Sequence, residues 1–152
     1  MNRLRTNRLR TNQNAFTLLE LMVVIAIISI LALITAPTFT RQITKAKLVE
    51  AQNIAAQSQS FIEEYILLNG TFPTATEFTE IAPSISNSDI VQSIAVNNPS
   101  EETGSFKITL KSNTGISEGD YFEYTRNAER YWQCESTLAS NVLPQQCTST
   151  AE

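Results

Sequence analysis

The strongest constraint on the fold is a run of 21 residues, Phe16–Ala36, that carries a single charged side chain, Glu20. At ~1.5 Å per residue, a helix of this length spans roughly 31 Å, about the thickness of one hydrocarbon core. The run exceeds the roughly 7–15 apolar residues of an ordinary signal-peptide core, and Pro37 directly follows it. The sequence therefore predicts a retained transmembrane helix over residues 16–36.

The segment before this run is basic and contains no acidic residue. It repeats the unit RLRTN, which supplies four arginines: Arg3, Arg5, Arg8 and Arg10. Such a composition predicts a processing segment over residues 1–15, with a disordered basic tail as the alternative. Because arginines mark the cytoplasmic flank of a membrane helix, we expect the N-terminus in the cytoplasm and the remaining chain outside.

The rest of the chain is acidic. Residues 16–152 hold 7 basic and all 15 acidic residues, a net charge of −8. Because such a body repels phosphate, no specific nucleic-acid partner is expected. The chain has no histidine, the commonest general base and metal ligand, and nothing in it resembles a nucleophile paired with a base. The sequence therefore predicts a protein that is not an enzyme, with no catalytic residue, metal site or cofactor.

Beyond Pro37 the sequence predicts that the helix continues. No Gly or Pro occurs from Thr38 to Leu68, and Asn69-Gly70 then supplies a stop signal. Apolar residues at steps of three or four predict a buried stripe: Ile43, Ala46, Ile54, Phe61, Tyr65 and Leu68, widened by Ile62 and Ile66. The polar face is assigned to Arg41, Lys45, Gln52, Gln59 and Glu63. Because no Gly or Pro interrupts the pattern between Pro37 and Asn69, we expect the apolar run and this segment to form one helix of about 50 residues.

The C-terminal half predicts a small antiparallel sheet. Residues 71–104 are rich in Ser, Thr, Asn and Pro, which favours a long connection with a short helix near Glu77–Ala82 and a strand near Ile90–Val96. Three further strands are predicted at Phe106–Lys111, Tyr121–Thr125 and Arg130–Cys134, separated by turn residues. The fold class is thus α+β, a long N-terminal helix packed on a small antiparallel sheet.

The residues around the start of the apolar run carry a specific resemblance. The segment AFTLLELMVVIAIISILALITAP resembles the N-terminal signature of type IV pilins. In that family a basic leader ends at a small residue, usually Gly, and is removed by a prepilin peptidase. The new N-terminal residue is usually Phe and becomes N-methylated, and a glutamate and a proline follow at fixed positions. Ala15, Phe16, Glu20 and Pro37 fill these positions here.

The resemblance gives Glu20 a function in assembly. A carboxylate within a membrane helix costs roughly 2.5–3.5 kcal/mol, so it needs a compensating partner. Cleavage between Ala15 and Phe16 creates an amine one helical turn away, and the resemblance implies that Glu20 neutralises this amine on a neighbouring subunit. The alternatives are that Glu20 reaches the lipid headgroups, or that the segment is a plain membrane anchor.

A second resemblance lies near the C-terminus. Two cysteines in an exported chain suggest one disulfide, with two free buried thiols as the alternative. The segments Trp132-Gln133-Cys134 and Leu143-Pro144-Gln145-Gln146-Cys147 resemble the disulfide loop of type IVa pilins. A bridge between Cys134 and Cys147 would stabilise the fold by roughly 3 kcal/mol in the chain-entropy model. Tyr131 and Trp132 are interpreted as packing residues.

Together these resemblances imply a structural subunit of a type IV pilus. The leader is residues 1–15, the transmembrane and polymerisation helix residues 16–36, and the exported head residues 37–152. The implied partners are further copies in a helical filament, prepilin peptidase, the assembly machinery of the inner membrane, and the membrane before assembly. Adhesion, twitching motility and DNA uptake are the implied uses. The alternatives are a minor pilin, a type II secretion pseudopilin and a membrane-tethered binding module.

Overall fold

A computed structural model of the chain describes residues 16–85 and 88–151. The chain divides into two compact units, one ending at Ala36 and the other beginning at Pro37. The first helix, α1, runs from Leu18 to Asn69, with Pro37 inside it. It ends at Gly70, whose φ of +76° is the left-handed conformation that favours glycine, and whose N–H donates to the Ile66 carbonyl at 2.8 Å. The predicted helix and its stop signal are confirmed.

In its described residues the head contains one more helix and five strands. Helix α2 spans Ala75–Ile81 and begins with a capping box between Thr74 and Glu77. The strands are β1 Val91–Ser100, β2 Thr103–Leu110, β3 Tyr121–Arg126, β4 Trp132–Ser136 and β5 Cys147–Ser149. They form one sheet in the order β1-β2-β3-β4-β5. The first four strands are antiparallel neighbours, and β5 pairs with β4 in parallel. The α+β fold class is confirmed.

The face of α1 that enters the core differs from the predicted stripe. Of its six main members only Ile54 is buried, whereas Ala46 and Leu68 are exposed. The flanking Ile62 and Ile66 are buried, and they continue a seam of small and medium residues: Thr44, Leu48, Ala51, Ala55 and Ser58. The hydroxyls of Thr44 and Ser58 donate to carbonyls one turn earlier, at 3.1 and 2.9 Å, so their burial leaves no donor unpaired. The predicted stripe missed these positions because it was drawn from apolar residues that are mostly large, whereas the buried face includes small and polar residues.

The inner face of the sheet supplies the other side of the core. On β2, Phe106 and Ile108 are fully buried and lie opposite Tyr124 and Phe122 of β3. Phe106 stacks on Tyr124 with ring centroids 5.2 Å apart and meets Trp132 of β4 edge-on at 5.5 Å. Cross-strand aromatic pairs of this kind fix the register of an antiparallel sheet.

Two further predictions need correction. The short helix near Glu77–Ala82 and the strand near Ile90–Val96 are present as α2 and β1, but residues 97–104, expected to be irregular, extend β1 and begin β2. Tyr131 is 68% exposed, in the turn between β3 and β4, because the Asn127 side chain holds its backbone N–H there. Trp132 does pack against the core, as expected.

Candidate assembly site and disulfide-closed tail

The first part of α1 exposes its entire apolar surface. Every residue from 18 to 36 is exposed, including Leu19 at 72% and Ile30 at 62%. Among the residues that the structure describes, α1 is the one helix long and apolar enough to cross a membrane. Buried cores normally hold such side chains, so this surface requires a non-aqueous environment outside its own unit.

Glu20 is held locally by Thr17 at the start of this helix. The Thr17 N–H and hydroxyl donate to one Glu20 carboxylate oxygen at 2.8 and 2.9 Å. In return the Glu20 N–H donates to the Thr17 hydroxyl oxygen at 3.2 Å. These reciprocal bonds form a capping box, and they place a carboxylate near the positive end of the helix dipole. Among the bonds that the described residues make to this carboxylate, none reaches the other oxygen.

Other polar side chains of the apolar run are satisfied within the helix. The Ser29 hydroxyl donates to the Ile25 carbonyl at 2.7 Å, and the Thr35 hydroxyl to the Leu31 carbonyl at 3.2 Å. Neither side chain needs a partner beyond its own helix. Glu20 therefore differs from them, because a carboxylate carries a full charge that local hydrogen bonds do not neutralise.

The residues at the predicted cleavage point differ in what the structure describes. Ala15 lies outside the described residues. Phe16 directly precedes the capping box, and its side chain is 86% exposed. Pro37 lies within α1, is exposed, and begins the second compact unit.

The two cysteines form a disulfide that joins β4 to β5. Cys134 and Cys147 are direct neighbours in the parallel register, with their Cα atoms 4.5 Å apart. The predicted disulfide is present, and β5 is the strand that sequence reasoning missed. Leu138 and Val142 of the enclosed loop are buried, so the loop packs onto the core.

Hydrogen bonds centred on Ser136 hold the tail beyond the disulfide. The fully buried Ser136 hydroxyl donates to the Tyr121 carbonyl at 2.6 Å, and the Ser136 carbonyl accepts from the Thr150 N–H at 2.7 Å. The Ser149 hydroxyl donates to the Leu138 carbonyl at 2.8 Å. Together with the disulfide, these bonds fix the chain up to Thr150 against β4.

An ion pair joins the C-terminal part of α1 to the sheet. Arg126 is only 3% exposed, and its Nε and Nη2 donate to the two Glu63 carboxylate oxygens at 2.7 and 3.0 Å. The Trp132 Nε1 donates to the same carboxylate at 2.8 Å. These bonds from Arg126 lower the pKa of Glu63 and raise the pKa of Arg126. The pair thus clamps α1 to β3 and β4.

Sequence reasoning missed Thr17 and placed Glu63 on the polar face. The spacing Thr17-x-x-Glu20 is a capping-box signature that precedes an apolar run. For the ion pair, strand alternation was the available signal, because Arg126 follows the inward-facing Phe122 and Tyr124 at steps of two. That step places a guanidinium at the core, where it needs an acid from α1.

Comparisons with known proteins place the chain in a family. A family model described as pilin (bacterial filament) matches residues 44–148, and a model of the prokaryotic N-terminal methylation motif matches residues 10–36. The chain belongs to the type IV pilin family. Family membership confirms both the fold class and the structural, non-enzymatic role of this pilin.

Individual relatives of this pilin agree with that assignment. Fimbrial protein EcpC of Eikenella corrodens is 32% identical over 94% of this chain and 95% of its own length. The type IV major fimbrial protein FimA of Dichelobacter nodosus is 26% identical over 91% of this chain and 98% of its own. The type IV major pilin protein PilE of Neisseria gonorrhoeae is 37% identical over 51% of this chain and 47% of its own.

Proposed function

We propose that this pilin is the major subunit of a type IV pilus, cut between Ala15 and Phe16 and assembled through residues 16–36. The observation that carries the proposal is the fully exposed apolar surface of α1 up to Ala36. That surface suits two successive environments, lipid before assembly and the helices of other subunits afterwards. Residues 1–15 are then the leader and residues 37–152 the exported head.

The free energy gained by burying the apolar side chains in lipid exceeds the cost of inserting the charged Glu20. Fourteen large apolar side chains lie exposed between Phe16 and Ile34. At about 1.5 kcal/mol or more for each side chain removed from water, the gain is on the order of 20 kcal/mol. One carboxylate costs roughly 2.5–3.5 kcal/mol. The segment therefore inserts with Glu20 in place, and the basic leader sets the N-terminus on the cytoplasmic side.

Assembly follows from the amine that cleavage creates. Prepilin peptidase removes the leader, and the N-methylated amine of Phe16 is a cation at the end of a helix that already carries Glu20. The Glu20 carboxylate accepts a hydrogen bond from the N-terminal amine of a neighbouring subunit. This ion pair neutralises both charges and sets the axial register. The assembly machinery of the inner membrane then extrudes the filament, which serves adhesion, twitching motility or DNA uptake.

The test compares the fibre yield of two variants that each remove one side chain of the same capping box, in cells where the chain is the sole pilin. Glu20→Ala removes the carboxylate, and Thr17→Ala removes the cap but leaves the carboxylate. We expect Glu20→Ala to abolish sheared fibres and Thr17→Ala to reduce them only slightly, with Ser29→Ala as a neutral control in the same segment. Normal fibres in Glu20→Ala, or equal loss in both variants, would reduce Glu20 to a helix cap and defeat the proposal.

A further inference from the structure

An apolar groove with acidic side chains lies beside the C-terminal part of α1 and the end of α2. It has a volume of about 260 Å³ and is lined by Phe61, Glu64, Tyr65, Leu68 and Ile81. Leu68 is 78% exposed, so the head itself does not cover the groove. We call this surface, together with the neighbouring Glu80, the acidic groove.

Glu80 lies close enough to the groove to act on it electrostatically. The pKa of the Tyr65 hydroxyl is raised by its hydrogen bond to Glu77 and by the negative charges of Glu77 and Glu80. Glu77 is already engaged with Thr74 in the capping box of α2. Glu64 and Glu80 are exposed and have no ion-pair partner among the described residues. The occupant of the acidic groove should therefore carry positive charge beside apolar surface.

The head itself supplies such a surface. Five of its seven basic residues are engaged with other groups of the head, namely Lys47, Lys107, Lys111, Arg126 and Arg130. In the part of the chain that the structure describes, the two without a hydrogen bond or ion pair are Arg41 and Lys45. Both are exposed, and Lys45 lines a shallow cleft with Val49, which is 50% exposed. We call Arg41, Lys45 and Val49 the basic flank.

The two surfaces cannot meet within one molecule. Their centres are about 20 residues apart on α1, which corresponds to an axial offset of roughly 29 Å. At ~100° per residue, Arg41 and Lys45 also point about 170° away from Phe61 and Leu68. Two different surfaces that complement each other make a heterologous contact, which repeats in an open helical array instead of closing as a dimer.

We propose that the acidic groove of one pilin receives the basic flank of a second copy, offset along the filament. Arg41 and Lys45 lay their apolar stems on Phe61 and Leu68 and bring their charges to Glu64 and Glu80. The contact rests on the proposed filament function and adds a head-to-head register to the one set by Glu20.

The test is a charge swap in cells that depend on this chain for fibres. Glu64→Lys with Glu80→Lys places four positive charges together, as a second copy approaches, and we expect at least about tenfold fewer sheared fibres. Arg41→Glu with Lys45→Glu should lower the yield similarly. Combining all four substitutions restores opposite charges and should recover most of the fibres. The control Glu118→Lys with Glu129→Lys reverses two exposed acids elsewhere and should leave the yield unchanged.

Membrane pools separate this contact from failures of folding or insertion. Each variant should accumulate processed, disulfide-bonded subunit in the membrane at the wild-type level. Normal fibre yield in both double variants, or a quadruple variant worse than either, overturns the contact. Wild-type chain that gives no fibres, or fibres that do not depend on Glu20, would instead overturn the proposed function.

Discussion

The clamp between Glu63 and Arg126 makes the stability of the head depend on one carboxylate. Glu63→Gln keeps the size of the side chain but removes its charge and turns one acceptor into a donor that faces Nη2 of Arg126. The guanidinium is then buried with two uncharged acceptors, the Gln amide oxygen at Nε and the Glu102 carbonyl at 2.5 Å from Nη1, and with no counter-charge. Breaking a buried pair costs about 3–5 kcal/mol. Because the Glu63 side chain is 37% exposed, we expect the low end, about 3 kcal/mol.

This loss is large enough to measure in a thermal melt. Residues 37–152 form a unit whose entropy of unfolding is ~2.1 cal/mol/K per residue, so 3 kcal/mol lowers Tm by about 12 °C. Trp132 is the only tryptophan and donates to Glu63, so its emission in detergent-solubilised full-length pilin reports on the clamp itself. Glu64→Gln, on the exposed side of α1, is the matched control and should shift Tm by less than about 2 °C.

The pH dependence of the stability difference between wild type and Glu63→Gln tests the same ion pair independently. The pKa of Glu63 is lowered in the folded state from an ordinary value of 4.5, so folding favours the ionised carboxylate. The stability difference between wild type and Glu63→Gln is therefore complete above pH 4.5 and is lost as the pH falls through the folded pKa. A Glu63→Gln melt that matches Glu64→Gln at pH 7, or a difference that grows below pH 4, would refute this reasoning.

Three further predictions concern the head. Replacing Cys134 and Cys147 by serine should lower the free energy of unfolding by roughly 3 kcal/mol in the same melt, and an unchanged Tm would contradict the locking role of the tail. Gly115 and Gly119 both have positive φ, but a Cβ at Gly115 would lie 2.5 Å from Thr44 Oγ1, whereas Gly119 has open space. Gly115→Ala should therefore destabilise by about 1–3 kcal/mol more than Gly119→Ala, and equal losses would show that Thr44 does not set the packing there. Burial raises the pKa of Tyr124 to about 12, so stability should fall by roughly 2–3 kcal/mol between pH 10 and 12, measured by alkaline unfolding. Tyr124→Phe should flatten that decline, and an unchanged slope would mean that Tyr124 ionises freely in the fold.

The course of the chain was predictable where local signals are strong. From Thr38 to Leu68 no Gly or Pro interrupts the helix, and Asn69-Gly70 can end it because glycine takes positive φ at little cost. The alternation in Phe106–Lys111 likewise predicts a strand with one face inside, and Phe106, Ile108 and Leu110 are fully buried.

The register of α1 on the sheet was not predictable in the same way. Close packing selects small residues where two elements approach, and Ala51, Ala55 and Ser58 occupy the centre of the seam while the larger Phe61 lies outside it. Strand β5 also escaped prediction, because its three residues have no pattern of their own and are placed by the bond to Cys134. The candidate assembly residues Phe16, Glu20 and Pro37 were predicted from their resemblance to the type IV pilin signature, supported by the cost of an acid inside an apolar run.

The most direct test of the proposed processing and assembly is the intact mass of the subunit in fibres sheared from cells, measured before and after reduction. We predict a chain that begins at N-methylated Phe16, lacks residues 1–15, and gains two hydrogens on reduction as Cys134 and Cys147 separate. Fibres built from a chain that keeps the leader, or that begins after Ala36, would contradict it.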